Sequence, residues 1–173
     1  MVQRYSLEPS EISKAGLGEA DTKLYIPVRD KNGKEVGYVL RKLDKSQAGP
    51  KSVLHIDEDC AILSWYPKGY GLDQKSKLVI VEDQLSAIRA STYMDAVALI
   101  GTNLSENKVA DIIKAKKRRV IIALDKDATG KAAILVKKYR VLFDSVELLP
   151  LDKDLKDMSR DELEDLLGHE TYG

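Results

Sequence analysis

In the first half of the chain, apolar positions come in short runs broken by turn residues. Residues 24–28 (LYIPV) and 35–40 (EVGYVL) flank Asp30-Lys31-Asn32-Gly33. Asn-Gly between two β-rich runs predicts a hairpin, because both turn positions tolerate positive φ. Residues 52–56 and 61–66 read as two more short strands, ahead of a glycine-rich joint at 68–72. Residues 1–22 are polar and carry Pro9, Gly16 and Gly18, which predicts a loose lead-in with one helical turn. Residues 1–76 are therefore expected to form a small antiparallel β lobe.

The pattern changes at Lys77. Four short apolar runs follow, at 78–81 (LVIV), 96–100 (AVALI), 120–124 (VIIAL) and 146–149 (VELL). Between them lie helix-period segments at 84–93, after Ser105 and at 130–139, and residues 160–167 predict a terminal helix. Strands alternating with amphipathic helices predict an α/β fold, a parallel sheet covered on both faces, over residues 77–173.

Composition narrows the class. The 173 residues are 43% hydrophobic, enough for a real core, and no apolar run approaches the ~20 residues of a membrane span. Residues 1–20 lack the apolar stretch of a secretory signal. The single cysteine, Cys60, forms no internal disulfide and no multi-cysteine zinc module, and reads as a reduced thiol. These features predict a cytoplasmic protein with no membrane partner. Lys+Arg and Asp+Glu balance at 28 each, yet unevenly. Basic groups outnumber acidic ones 13 to 11 over residues 1–77 and 12 to 9 over 78–150, while residues 151–173 hold 3 against 8. A mildly basic body with an acidic tail permits local contact with nucleic acid without requiring it.

The placement of the acids is more telling than their number. In an open parallel sheet, ligands bind beyond the carboxyl ends of the strands. Glu82 and Asp83 follow the first run, Asp125 and Asp127 the third, and Asp152, Asp154 and Asp157 the fourth. Carboxylates gathered on one rim repel one another unless a cation lies between them. Oxygen ligands of this kind suit Mg²⁺ or Mn²⁺ in phosphoryl chemistry. Asp83 and Asp152 read equally as turn or surface acids.

Glu82 after LVIV, with Asp125-Lys126-Asp127-Ala128-Thr129-Gly130 after VIIAL, resembles the TOPRIM domain of primases, topoisomerases and small nucleases. Upstream, Ile26-Pro27-Val28-Arg29-Asp30-Lys31-Asn32-Gly33, Val36-Gly37-Tyr38, Arg41 and Pro50-Lys51 resemble the hairpin that precedes TOPRIM in bacterial (DnaG-like) and phage primases. Lys153-Asp154-Leu155-Lys156-Asp157 is similar to a primase tail segment. The family pattern places Gly after the Glu and Asp four residues on, where this chain has Asp83 and Ser86, a wording closer to a phage branch.

The resemblance implies a minimal primase core that synthesises short RNA primers on single-stranded DNA from nucleoside triphosphates. It implies Glu82, Asp125 and Asp127 as catalytic metal ligands, with Glu82 also assisting deprotonation of the attacking hydroxyl. Asp154 and Asp157 would complete the metal environment. Arg41, Lys51 and, as a third basic position, Lys68 would bind nucleotide phosphates. The missing zinc module and helicase imply partners: a replicative helicase or a separate zinc-binding template-recognition subunit. Two other readings use the same residues, a stand-alone TOPRIM nuclease and a non-catalytic nucleic-acid-binding or replisome-binding relative. The run 114–119 (KAKKRR) reads as favourable charge at a helix C-terminus in preference to a template contact. Trp65, Tyr66 and Tyr70 read as packing residues before base-stacking ones.

Overall fold

A computed structural model describes residue 5, residues 7–56 and residues 62–172, the last two by backbone alone. Cys60 and the first residue of the predicted 61–66 strand lie outside the described residues. Two sheets are present. The first is antiparallel, in the order β1 (Gly18–Ala20), β2 (Lys23–Arg29), β3 (Glu35–Lys42), β4 (Ser52–Ile56). The second contains β5 (Ser64–Tyr66), β6 (Leu78–Val81), β7 (Asp95–Ala98), β8 (Arg119–Ile122) and β9 (Ser145–Leu148), in the order 5-7-6-8-9. Strands β6 to β9 are parallel, and β5 runs antiparallel to β7. The α/β class is as expected.

The lead-in is more ordered than its polarity predicts. Helix α1 (Pro9–Ala15) opens with a reciprocal Glu8–Glu11 capping box, and β1 extends the first sheet. The predicted hairpin is present, but its turn is held differently. Gly33 alone takes positive φ, and the Asp30 carboxylate accepts the N–H groups of Asn32 at 2.8 Å and Lys34 at 2.9 Å. The strand after the β4 region does not continue the first sheet. Ser64, Trp65 and Tyr66 are all buried, and β5 pairs on the edge of the second sheet, where both faces are covered. Trp65 and Tyr66 are thus core residues, and Tyr70 is fully exposed.

Alternation along β6 explains the layering. Val79 and Val81 face α2 (Gln84–Ala90) together with Leu24, Ile26 and Val28 of the first sheet. Leu78 and Ile80 face α3 (Glu106–Lys114) and α4 (Thr129–Tyr139) through Ile112, Leu135 and Tyr139. Leu151, Leu155, Leu163 and Leu167 return the tail, with α5 (Arg160–Leu167), to the first of these cores. The hairpin sheet, the strand ends and the tail therefore share one apolar core, which fixes their mutual placement.

Gly37, in the hairpin motif, pairs with Ile56 across β3 and β4. A Cβ there would overlap the His55 carbonyl oxygen and stand 2.9 Å from Ile56 Cα. Backbone cannot yield as a flexible side chain can, so Gly37→Ala is expected to cost about 1–3 kcal/mol. Urea denaturation checks this by a lower midpoint at unchanged slope.

Candidate active site

The carboxylates of the rim come from separate parts of the chain. Glu82 and Asp83 follow β6 directly. Asp125 lies three residues past β8, and Asp127 sits exposed on a 3₁₀ turn (Lys126–Ala128). Asp154 precedes and Asp157 ends a second 3₁₀ turn (Leu155–Asp157), anchored by the fully buried Leu155. Asp83 caps α2 by accepting the Ser86 N–H at 2.9 Å. Glu82 accepts the backbone N–H of Asp125 at 3.2 Å, which ties the first strand end to the third.

These groups feel one another strongly. Burial first, then the charges of Asp125, Asp127 and Asp154, push Glu82 up to about 7, against the pull of the Asp125 N–H. Burial likewise pushes Asp125 up to about 6; the Lys156 ammonium pulls against it, and Asp154, Asp83 and Asp127 add repulsion. Asp83 goes the other way. Burial alone would raise it, but the Lys156 ammonium, the Ser86 N–H and the Arg41 guanidinium hold it below the usual carboxylate range. Lys156 Nζ lies 2.6 Å from Asp154, 2.9 Å from Asp83 and 3.7 Å from Asp125. Burial opposes its charge, and those carboxylates overcome the penalty and raise it above the usual lysine range.

Beside the rim is a cavity of about 380 Å³ lined by Arg41, Lys51, Asp154, Lys156 and Asp157 among others. Arg41 is 7% exposed, stacks over the Tyr5 ring at 5.3 Å, and its buried Nε has no hydrogen-bond partner among the described residues. Two of the three expected phosphate-binding cations thus meet the tail acids. Lys68 does not join them; it lines a separate cavity of about 860 Å³ with Lys14, Arg29 and Tyr70.

Residues 76–145 match the Toprim domain family. The match takes in Glu82, Asp83, Asp125 and Asp127 of the rim, and Asp154 and Asp157 lie beyond it. The whole chain has the fold of DnaG primase catalytic cores. It superposes on the zinc-binding and RNA polymerase domains of the Aquifex aeolicus primase with a TM-score of 0.73 at 17% identity, covering 97% of this chain and 54% of that one. The E. coli primase catalytic core gives a TM-score of 0.65 at 19% identity over 98% of this chain and 62% of that one. A DnaG catalytic domain bound to single-stranded DNA gives 0.64 at 19% identity, with 98% and 64% covered. The chain spans less than two thirds of the length of these structures. No curated protein matched it by sequence.

The residues fit a divalent cation by their chemistry. The rim offers carboxylate oxygens, the donors that hard ions prefer, and burial, together with the neighbouring carboxylates, holds Glu82 and Asp125 toward neutrality. Among the described residues, no three His, Cys, Asp or Glu side chains close on a common metal position. The Lys156 ammonium stands among the acids instead. Proton and metal compete for the same oxygens. The Tm gained on adding Mg²⁺ is therefore expected to be several degrees larger at pH 8, where Glu82 and Asp125 are ionised, than at pH 6, as differential scanning fluorimetry would measure.

Lys156 and the second role of Asp83 were not legible in the sequence. Nor was the fate of the 114–119 run. Arg118 is exposed, but Lys117 is fully buried and pairs with Asp95 of β7.

Proposed function

We propose that the chain is the catalytic core of a primase, synthesising short RNA primers on a single-stranded DNA template. The observation that carries the reading is the juxtaposition of the Toprim carboxylates with the Arg41–Lys51 cavity. In this reading residues 1–76 supply the nucleotide-holding lobe, and residues 77–173 supply the metal-holding domain and its acidic tail. Glu82, Asp125 and Asp127 would hold Mg²⁺ or Mn²⁺, with Asp154 and Asp157 at the cavity edge. A divalent ion held there supplies Lewis acidity to phosphoryl oxygens and lowers the pKa of an attacking hydroxyl.

The chain's own groups do the rest. Arg41, buried and with a free Nε, presents a fork of donors to phosphate oxygens, and Lys51 adds a mobile point charge at the mouth. They would hold the triphosphate so that the 3′ hydroxyl of one nucleotide attacks the α-phosphorus of the next. That P–O bond forms as the α–β bridge breaks and pyrophosphate leaves. A cavity of about 380 Å³ is in the range of small-ligand sites. Single-stranded DNA as template is supported by the DnaG catalytic domain solved with it. Among the described residues, no helix is long and apolar enough to cross a membrane, which agrees with work in a cytoplasmic replication system.

The test is to incubate the protein with single-stranded DNA, the four ribonucleoside triphosphates and Mg²⁺ or Mn²⁺, and to resolve the products. Triphosphate-dependent di- and oligoribonucleotides are expected. Template shortening without triphosphates would replace the reading with a Toprim nuclease. Template binding with neither product would replace it with a binding module.

A further inference from the structure

The Lys156 ammonium is built into the rim. Its side chain is 8% exposed, and Leu155 and Met158 on either side are buried in the core, so the turn cannot swing outward without exposing them. Asp83, one of its partners, is fixed independently as the N-cap of α2. The acids divide accordingly. Asp83 and Asp154 lie within 3 Å of the ammonium, Asp125 is shared at 3.7 Å, and Glu82 and Asp127 have no ion-pair partner among the described residues. One side of the cluster carries its own cation, and the other side carries none.

A phosphoryl-transfer clamp built on carboxylates offers two cation positions, one toward the attacking oxygen and one toward the leaving phosphates. We propose that Lys156 fills one of these positions, so that the rim takes up a single divalent ion, on the side of Glu82 and Asp127 that carries no protein cation. The inference rests on the metal-dependent reading above and deepens it. An ammonium accepts close approach from three oxygens, as a compact cation does, but it cannot act as a Lewis acid or exchange with solvent. The side it occupies is also the side of the cavity holding Arg41 and Lys51. The leaving phosphates would then meet three protein cations in place of a second metal, and the ion on the side of Glu82 and Asp127 would serve the attacking oxygen.

Counting bound Mn²⁺ on the full chain at pH 8, by calorimetric titration and by the loss of the free-ion electron paramagnetic resonance signal, tests this. One ion per chain is expected for the wild type and for Lys156→Arg. Two are expected for Lys156→Ala and for Lys156→Gln, which keeps most of the side chain's length and guards against loss of fold in the shorter variant. Circular dichroism confirms that each variant is folded. Two ions on the wild type, or one on both neutral variants, overturns the inference and leaves the primase reading standing. No ion on the wild type overturns the metal reading itself, and this inference with it.

Discussion

Asp95→Ala is expected to destabilise the fold by about 3–5 kcal/mol, because it strands a buried ammonium. Lys117 and Asp95 have side chains 0% and 1% exposed. The Lys117 Nζ also donates to the Asp73 carbonyl and, at 2.9 Å, to Ser76 Oγ. Asp95 in turn accepts the backbone N–H groups of Lys68 and Asp73, both at 2.8 Å. One carboxylate thus organises the loop between β5 and β6 and neutralises the residue that follows α3. For a chain of this length, 1 kcal/mol corresponds to ~2–4 °C, so Tm should fall by roughly 10 °C. Lys117→Met should cost distinctly less, since Asp95 keeps two backbone donors and the Ser76 hydroxyl, and the ammonium has gone. Equal losses in the two variants, measured by urea denaturation, would mean that the pair acts only by filling space.

That pair also marks where sequence reasoning stops. Residues 114–119 contain five cations in six positions, and periodicity assigns them all to a solvated helix end. The chain turns sharply at Lys116, which has φ +59°, and the next side chain is thereby sent under the sheet. No local pattern announces that one lysine among these five cations will meet an aspartate on a neighbouring strand. The same limit applies to β5. Its three residues look like any hairpin strand, and only the tertiary choice between two sheet edges places them beside β7. What was legible is what alternation and spacing control: β6 to β9, the cap at Ser105, and the Asp30–Gly33 turn. Strand ends are set by apolar runs, so the acids that follow them were legible as a rim. Lys156 was not, because a lysine between two aspartates usually faces water, and only the burial of Leu155 and Met158 turns it inward.

The carboxylates themselves should show opposite signs in activity and in stability. Removing a ligand of a catalytic metal forfeits several kcal/mol of transition-state stabilisation, and each 1.36 kcal/mol is tenfold in rate. Asp125→Ala/Asp127→Ala and the near-isosteric Glu82→Gln should therefore each lower primer synthesis by roughly 10²–10³-fold or more. The metal-free fold should respond in the other direction. Glu82 is pushed up to about 7 from an ordinary 4.5, so its ionised form is disfavoured in the folded chain. That penalty is absent below the ordinary value, grows as pH rises through it, and is complete above about pH 7. Glu82→Gln removes it. With Glu82 half-buried and the charge partly screened, the gain at pH 8 should be on the order of 1 kcal/mol, vanishing near pH 4. A carboxylate present to stabilise the fold would lose stability when neutralised, as Asp95 is expected to. A variant that loses activity and gains stability at pH 8, and whose gain disappears when excess Mg²⁺ is added to both proteins, identifies Glu82 as a group strained for chemistry. Loss of both together would make it a structural acid and leave the catalytic assignment without its first ligand.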